Sequence, residues 1–222
     1  MRAMILAAGR GERLRPLTER IPKPLIPLAG EPLIVHQLRW LHRAGIREVV
    51  VNLHHLGEAI ERALGTGVDL GVRIHYSREP ELLDTGGGIK KALPRLCPGP
   101  FVVLNGDIWT NYAFRNLVDV RPDKAHLVLT PTPAHRDRAD FHLVNTGGTA
   151  LVHRGADNNV TYCGLAVLAE SLFDDTPGGP FSFTDPLFKA VDAGEVTGEI
   201  FNGTWVDIGT PGELKRARRL TA

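Results

Sequence analysis

The residues with the clearest capacity for chemistry lie directly after the first apolar run of the chain. Residues 6–18 read LAAGRGERLRPLT, and residues 21–25 read IPKPL. Gly9 and Gly11 have no side chains, so backbone N–H groups at these positions can approach phosphate oxygens closely. Arg13 can contact a phosphate with two nitrogens, and Lys23 supplies a point charge. This loop is therefore predicted to bind a phosphate-bearing ligand.

The loop differs from the two common phosphate-binding motifs. The Walker pattern GxxxxGK[ST] is absent, and the dinucleotide fingerprint lacks its third glycine because Leu14 stands there. A solvated surface loop would explain two glycines alone. It does not explain their combination with the PKP tripeptide at residues 22–24, so the functional interpretation is favoured.

Two acidic residues follow apolar segments in distant parts of the chain. Asp107 ends the segment FVVLNGD at residues 101–107, and Asp207 lies within WVDIGTP at residues 205–211. A turn or a helix cap would explain either aspartate alone. Two carboxylates from distant segments are what Mg²⁺ requires when it is shared with phosphate oxygens, so Asp107 and Asp207 are a candidate pair of metal ligands.

Short apolar runs alternate with amphipathic segments, and this pattern predicts an α/β fold. βαβ crossovers build a doubly wound, mostly parallel sheet that binds ligands at the carboxyl ends of its strands. A Gly-Gly turn at residues 147–148 predicts one hairpin. Strands are predicted at residues 3–8, 48–52, 72–76, 101–104, 126–130, 143–144, 151–152 and 162–168, and helices at residues 33–44, 58–64, 88–96, 185–193 and 211–220.

Composition restricts the class of protein. With 222 residues, 43% of them apolar, the chain is expected to form a single domain, residues 1–222, around a packed core. The net charge of +1 argues against nucleic acid or a membrane surface as partner. Cys97 and Cys163 form no zinc spacing, nor do the nine histidines, among them His135. A cytoplasmic protein without a membrane segment is expected.

The glycine-rich motif and the PKP tripeptide resemble the signature of the sugar-1-phosphate nucleotidyltransferases, LAAGxGxRLxPLT followed by PKP. The resemblance implies that family's Rossmann-like (GT-A-like) fold, Mg²⁺ as cofactor with Asp107 and Asp207 as its ligands, and catalytic roles for Lys23, Arg13 and Asp107. No C-terminal β-helix is expected, because the chain ends about a dozen residues after the segment 205–211.

The resemblance also assigns binding roles to the two halves of the domain. Residues 1–110 are expected to bind the nucleotide and residues 111–222 the sugar phosphate. Asp84 departs from the glutamate expected before TGGG. The expected nucleotide-binding residues are Ala8, Gly9, Gly11, Arg13, Lys23, Gly86, Gly87 and Asn105, and the expected sugar-phosphate-binding residues are Asn105, Trp109, Asp140, Thr161 and Gly164.

Within the family, DTGGGI at residues 84–89 and NGDIWT at residues 105–110 are most similar to members that join UTP and N-acetylmuramate 1-phosphate in peptidoglycan recycling. A guanylyltransferase that uses GTP with mannose or heptose 1-phosphate is the alternative. An inactive binding module is disfavoured because Lys23, Asp107 and Asp207 are all present.

Two further expectations concern the group that binds the sugar and the oligomeric state. The lactyl carboxylate of muramate calls for a basic group in the sugar pocket, and the sequence does not choose among four candidates. A monomer or a weak dimer is expected. The four candidates are Arg136, Arg138, His142 and Arg154.

Overall fold

A computed structural model describes residues 1–134 and 136–221, with only the backbone described at Thr149. His135 lies outside the described residues, so the prediction that it binds no metal is not addressed. In chain order the elements are β1 (Arg2–Leu6), β2 (Pro27–Leu28), β3 (Glu31–Pro32), α1 (Leu33–Arg43), β4 (Glu48–Leu53), α2 (Gly57–Leu64), β5 (Arg73–Arg78), α3 (Asp84–Leu96), β6 (Phe101–Asn105), β7 (Ile108–Thr110), β8 (Ala125–Pro131), β9 (His142–Thr146), β10 (Thr149–His153), β11 (Val160–Leu168), α4 (Thr184–Asp192), β12 (Val196–Ile200), β13 (Trp205–Asp207) and α5 (Pro211–Leu220).

One nine-stranded sheet crosses the whole domain in the order β5-β4-β1-β6-β11-β8-β12-β10-β9. The four strands from β5 to β6 are parallel, whereas β11 is antiparallel to both β6 and β8. Strands β8 and β12 are parallel, and β10 is antiparallel to both β12 and β9. Only β11 and β10 therefore run against the other seven strands, and the predicted α/β fold with a mixed, mostly parallel sheet is confirmed.

The helices cover both faces of the sheet because successive strand residues point to opposite sides. Ala3 and Ile5 of β1 pack into a cluster with the apolar faces of α1 and α2, while Met4 between them packs into a second cluster with α3 and α4. On α1 the buried residues Ile34, Leu38 and Leu41 recur at helical spacing. Two apolar cores thus fix the sheet, and its strand ends become a rigid platform.

The hairpin predicted around residues 147–148 is confirmed by the antiparallel pairing of β9 and β10. The prediction for the third helix was wrong at its beginning, because α3 begins at Asp84 and not at residue 88. The glycines of TGGG therefore lie in the first turn of a helix. Contact with Phe181 holds this turn: the N–H groups of Gly86 and Gly87 donate to its carbonyl oxygen, and a Cβ at Gly86 would lie 2.4 Å from its ring.

No β-helix occurs in the residues that the structure describes. Among the same residues, no helix combines the length and the apolar character needed to span a bilayer.

Candidate active site

A cavity of about 420 Å³ opens at the carboxyl ends of β1 and β6. Six of the eight predicted nucleotide-binding residues line it, together with the predicted catalytic Asp107. The position agrees with the rule that parallel α/β sheets bind ligands beyond the carboxyl ends of their strands. The six residues are Ala8, Gly9, Gly11, Arg13, Lys23 and Asn105.

The glycine-rich loop uses its two glycines differently. Gly11 has a φ of +64°, and a Cβ there would lie 2.8 Å from Cγ2 of Thr18. The hydroxyl of Thr18 donates to the carbonyl oxygen of Gly11 at 2.8 Å, which fixes this turn. A Cβ at Gly9, in contrast, would have no neighbouring atom within 4 Å, so this glycine faces open space beside the cavity. Gly11 is required by the backbone, whereas Gly9 keeps room for a ligand.

Arg13 connects the loop to the C-terminal part of the chain. A Cβ at Gly209 would lie 2.8 Å from Nη2 of Arg13, so the guanidinium lies directly on this glycine. Both residues line the cavity, and Arg13 is exposed to solvent. A guanidinium in this position can bind an anion that enters the cavity.

An ion pair between Lys23 and Asp107 links the loop to the sheet. Nζ of Lys23 donates to Oδ2 of Asp107 at 2.6 Å, and both side chains are mostly buried. Asp107 lies in the turn between β6 and β7. The buried amide of Gln37 on α1 donates from Nε2 to the carbonyl oxygens of Asn105 and Ile108 at 3.0 and 2.9 Å. Gln37 therefore holds the turn that carries Asp107.

Asp207 is brought to the same place by strand pairing. Strand β13 pairs with β7 so that Asp207 lies opposite Ile108, and the N–H of Ile208 donates to the carbonyl oxygen of Asp107 at 2.9 Å. Nη2 of Arg136 lies 3.1 Å from Oδ2 of Asp207. Burial raises the pKa of Asp207, and the neighbouring Asp107 raises it further, against the opposing effect of Lys23 and Arg136.

The two carboxylates have oxygens that suit a hard cation. Oδ1 of Asp107 and Oδ1 of Asp207 are buried, and neither has a hydrogen-bond partner among the described residues. A buried carboxylate oxygen without a partner is costly, so a cation there would remove that cost. No group of three or more His, Cys, Asp or Glu side chains with metal-binding geometry occurs in the described ranges. Water and substrate oxygens would have to supply the other ligands, as is usual for Mg²⁺.

The predicted sugar-phosphate-binding residues are only partly brought together. Gly164, at a φ of +71°, lies under the side chain of Asn105, whose Nδ2 would be 2.7 Å from a Cβ at that glycine. Oδ2 of Asp140 accepts from the N–H of Tyr162 at 2.9 Å and lies 3.9 Å from Nη1 of Arg136. Asn105, Gly164 and Asp140 thus surround the sheet end next to Asp207.

Thr161 and Trp109 lie elsewhere. Thr161 is fully buried, and its hydroxyl is 3.2 Å from that of Thr132. The ring of Trp109 packs edge-on against Trp40 at 6.3 Å and adds to a small apolar cluster. Trp109 was expected to bind the sugar phosphate; its half-buried side chain packs against this cluster and does not line the cavity.

Gly86 and Gly87 do not line the cavity, although Leu82, Asp84 and Thr85 do. The N–H groups of both glycines donate to the carbonyl oxygen of Phe181, at 2.9 and 3.1 Å. These groups are therefore occupied within the protein and are not offered to a base. The backbone that faces the cavity precedes the glycines.

Two residues of the site were missed by sequence reasoning. Asn52 lines the cavity; its Oδ1 accepts from the N–H of Ala7 at 2.7 Å, and its Nδ2 donates to the buried Glu79 at 2.8 Å. Gln37 holds the Asp107 turn. The signal that would have found them is a polar amide within an apolar strand, residues 49–53, and on the apolar face of α1.

Comparison with known proteins agrees with this geometry. The family model described as nucleotidyl transferase matches residues 2–156. An N-acetylmuramate alpha-1-phosphate uridylyltransferase from Neisseria meningitidis is 40% identical, and the match covers 99% of this chain and 98% of the relative. One from Caulobacter vibrioides is 36% identical, with coverage of 94% and 92%. A mannose-1-phosphate guanyltransferase from Yarrowia lipolytica is 31% identical, and the match covers 95% of this chain and 61% of that protein.

Solved structures share the fold. A Bacillus anthracis protein assigned as a glucose-1-phosphate thymidylyltransferase superposes with a TM-score of 0.85 at 22% identity, over 100% of this chain and 95% of the other. HddC from Yersinia pseudotuberculosis superposes with a TM-score of 0.80 at 23% identity, over 99% of both chains. The resemblance drawn from the glycine-rich motif is therefore confirmed: the chain belongs to the nucleotidyl transferase family and is an enzyme of that class.

Proposed function

We propose that this enzyme joins UTP and N-acetylmuramate 1-phosphate to form UDP-N-acetylmuramate and pyrophosphate, as a step of peptidoglycan recycling. The choice of substrates is supported by the Neisseria and Caulobacter uridylyltransferases, which match nearly the whole chain. The reaction type is carried by one structural observation. The glycine loop, Lys23 and Asp107 line one cavity, and strand pairing places Asp207 beside Asp107, with the Oδ1 atom of each carboxylate lacking a hydrogen-bond partner among the described residues.

The proposed reaction is an in-line transfer. An oxygen of the sugar phosphate attacks the α-phosphorus of UTP, a new P–O bond forms, and the bond from the α-phosphorus to the pyrophosphate oxygen breaks. The nucleophile is already an anion, so no base and no covalent enzyme intermediate are required. Catalysis then consists of holding two anions together and stabilising the charge on the transferring phosphoryl group.

Each side chain of the cavity has a role in this scheme. The N–H groups of the Gly9–Gly11 loop and the guanidinium of Arg13 would bind the leaving pyrophosphate. Lys23, held in the cavity by Asp107, would donate to the transferring phosphate as its charge increases. The N-terminal half, residues 1–110, would thus bind the nucleotide. The sugar phosphate would lie towards the half at residues 111–222, next to Asn105, Gly164 and Asp140.

Asp107 and Asp207 would hold Mg²⁺ through their buried Oδ1 atoms. The ion would supply positive charge that stabilises the reacting phosphates. The part played by the protein is to keep the two carboxylates in register, which it does through the pairing of β7 with β13 and the bond from the N–H of Ile208 to Asp107.

A guanylyltransferase acting on mannose or heptose 1-phosphate is the second candidate. The observation that favours it is the match to the Yarrowia guanyltransferase at 31% identity. That relative is longer, because the chain covers only 61% of its length, whereas the Neisseria uridylyltransferase is covered to 98%. The higher identity to the Neisseria uridylyltransferase, 40% against 31%, favours UTP and N-acetylmuramate 1-phosphate as the substrates.

Pyrophosphate release separates these candidates. The purified protein is incubated with Mg²⁺ and each of UTP, dTTP, GTP and CTP, paired with the 1-phosphates of N-acetylmuramate, N-acetylglucosamine, mannose and heptose. Turnover that is greatest with UTP and N-acetylmuramate 1-phosphate is expected, and the Lys23→Ala variant is the control for contaminating activity. Turnover with GTP and mannose or heptose 1-phosphate would replace the proposed function by the second candidate. An absence of turnover in every pair would contradict both.

A further inference from the structure

The sequence offered four basic residues that could bind an acidic group of the sugar. In the structure their surroundings differ. Arg154 is held at the surface by both carboxylate oxygens of Asp192, at 2.7 and 2.5 Å. The ring of His142 stacks on His153 at 5.6 Å. Arg138 is exposed. Arg136 is the member of this group that reaches a predicted metal ligand.

Arg136 is placed by three contacts. Its Nη2 lies 3.1 Å from Oδ2 of Asp207, and its Nη1 lies 3.9 Å from Oδ2 of Asp140. The guanidinium carbon lies 5.5 Å from the ring centroid of Trp205. Trp205 is itself fixed, because its Nε1 donates to the carbonyl oxygen of Cys163 at 2.8 Å. The Arg136 side chain is held by these contacts and is still 31% exposed.

Charge balance in the site indicates what Arg136 is available for. Asp107 and Asp207 carry two negative charges, and Lys23 and Arg136 carry two positive charges, with each cation on Oδ2 of its partner. Both Oδ1 atoms are left without a hydrogen bond among the described residues. A divalent cation on these two oxygens would leave the four side chains and the ion with a net charge of +2, which becomes +1 when Asp140, 3.9 Å from Arg136, is included. Lys23 and Arg136 would then be free to bind anions.

We propose that Arg136 binds an acidic group of the sugar 1-phosphate and thereby determines acceptor recognition. This inference rests on the proposed function, since it assigns a residue to the acceptor of that reaction. A guanidinium matches phosphate and carboxylate equally well, because both can accept two parallel hydrogen bonds. N-acetylmuramate 1-phosphate carries both groups, the phosphate and the lactyl carboxylate. Arg136 pairs with Asp207 and Asp140, whereas Lys23 pairs with Asp107.

The test compares Arg136→Met and Arg136→Lys with a matched control, Arg154→Met. The control removes the same kind of contacts, since Arg154 also pairs with an aspartate and lies 4.6 Å from the ring centroid of Phe188. Arg136→Met keeps an unbranched side chain and removes the charge together with the guanidinium contact on Trp205. Arg136→Lys keeps the charge beside Asp207 and removes the two-nitrogen contact. The measurements are the KM for each substrate, kcat, the Mg²⁺ concentration for half-maximal rate, and calorimetric binding of N-acetylmuramate 1-phosphate.

Arg136→Met is expected to raise the KM for the acceptor by roughly 10- to 100-fold, the loss associated with a charged hydrogen bond. The calorimetric affinity for the acceptor should fall in parallel. The KM for UTP should stay within about twofold of the wild-type value. Arg136→Lys should recover only part of the loss. N-acetylglucosamine 1-phosphate, as substrate or competitor, identifies the group that is bound. An equal loss for both sugars assigns the phosphate, and a loss confined to the muramate assigns the lactyl carboxylate.

An acceptor KM in Arg136→Met that equals that of Arg154→Met would overturn the inference. So would a change confined to the Mg²⁺ requirement and the KM for UTP, because that pattern belongs to a residue that only neutralises Asp207. Failure of the proposed function is a separate result, seen when the wild-type enzyme prefers another pair of substrates. The same variants are then measured with that acceptor, and its KM decides the role of Arg136.

Discussion

Lys23 and Asp107 lie 2.6 Å apart with 14% and 26% of their side chains exposed. A charge-assisted bond in such surroundings is stronger than one at the surface, because water competes less for either partner. The bond holds Nζ of Lys23 in the cavity and uses one of its three N–H donors, so two remain available. The lysine can therefore donate to a phosphate while it keeps its position on Asp107.

Replacement of Lys23 by alanine should lower kcat far more than it raises the KM for UTP. The transferring phosphate gains negative charge on the way to the transition state, so a contact with Lys23 is strongest there. Loss of such a contact is worth ~3 kcal/mol, on the order of 10² in rate. Steady-state kinetics with saturating Mg²⁺ measures both constants.

Lys91→Ala is the control for that variant. Lys91 is exposed and donates to the carbonyl oxygen of Arg78, so its removal should leave kcat at the wild-type value. If Lys23→Ala and Lys91→Ala had the same kcat, the role assigned to Lys23 would be wrong.

At the scale of the elements, the two glycines of the loop are needed for different reasons. Gly11 is needed for its backbone conformation, and Gly9 is needed for the space that it leaves in the cavity. Gly11→Ala should destabilise the protein, because its φ of +64° is strained for alanine and Thr18 lies 2.8 Å from the new methyl group. Such strain costs about 1–3 kcal/mol. Gly9→Ala should leave stability unchanged, because no atom lies within 4 Å, and should raise the KM for UTP by crowding the cavity.

Thermal unfolding and the KM for UTP, measured for both glycine variants, distinguish these effects. The midpoint of Gly11→Ala should fall by roughly 2–4 °C for each kcal/mol lost. A stable Gly11→Ala protein, or a Gly9→Ala protein with an unchanged KM, would contradict the assignment of the corresponding glycine.

Helix α1 acts on the site through Gln37. In Gln37→Leu, the carbonyl oxygens of Asn105 and Ile108 lose their donor, at a cost of about 1–3 kcal/mol for each buried group. The turn that carries Asp107 should loosen, so the Mg²⁺ concentration for half-maximal rate should rise and kcat should fall. Assays well below the unfolding midpoint separate this effect from unfolding. If the variant were destabilised but its Mg²⁺ requirement were unchanged, Gln37 would contribute to stability only and would not position Asp107.

Most elements and the three charged residues Lys23, Asp107 and Asp207 could be predicted from the sequence. Hydrophobic periodicity identifies strands and helices, and the motif identifies the loop. The beginning of α3 could not be predicted, because TGGG has low helix propensity and is helical here through its contact with Phe181. Arg136 could not be chosen, because β13 brings Asp207 to it from 71 residues away in the chain.

At the scale of the whole molecule, the cavity joins segments from both ends of the chain. Arg13 lies on Gly209, and Asn105 lies over Gly164, so residues of the N-terminal half contact residues of the C-terminal half around the site. The single continuous sheet keeps these contacts in register. This arrangement brings two buried carboxylates side by side. Their repulsion and burial lower the free energy of unfolding of the whole domain.

Asp207→Asn should therefore stabilise the metal-free protein at neutral pH. Burial and Asp107 raise the pKa of Asp207 above its ordinary value of 3.8, so the folded state retains a proton that the unfolded state releases. Stability thus falls as the pH rises from about 4 through the raised pKa, and the asparagine variant lacks this loss. Its unfolding midpoint in EDTA should exceed that of the wild type by a margin that grows over this range. A gain of about 1 kcal/mol corresponds to roughly 2–4 °C.

Asp192→Asn is the matched control, because its bond to Arg154 lowers the pKa of Asp192 and its replacement should bring no gain at neutral pH. Addition of Mg²⁺ should reverse the order at the active site, since a ligand that binds the folded state raises the midpoint of the wild type more than that of Asp207→Asn. A metal-free Asp207→Asn protein that is less stable than the wild type at pH 7 would mean that Arg136 and Lys23 fully compensate the buried charge. Equal Mg²⁺-induced shifts in both proteins would instead exclude Asp207 as a metal ligand.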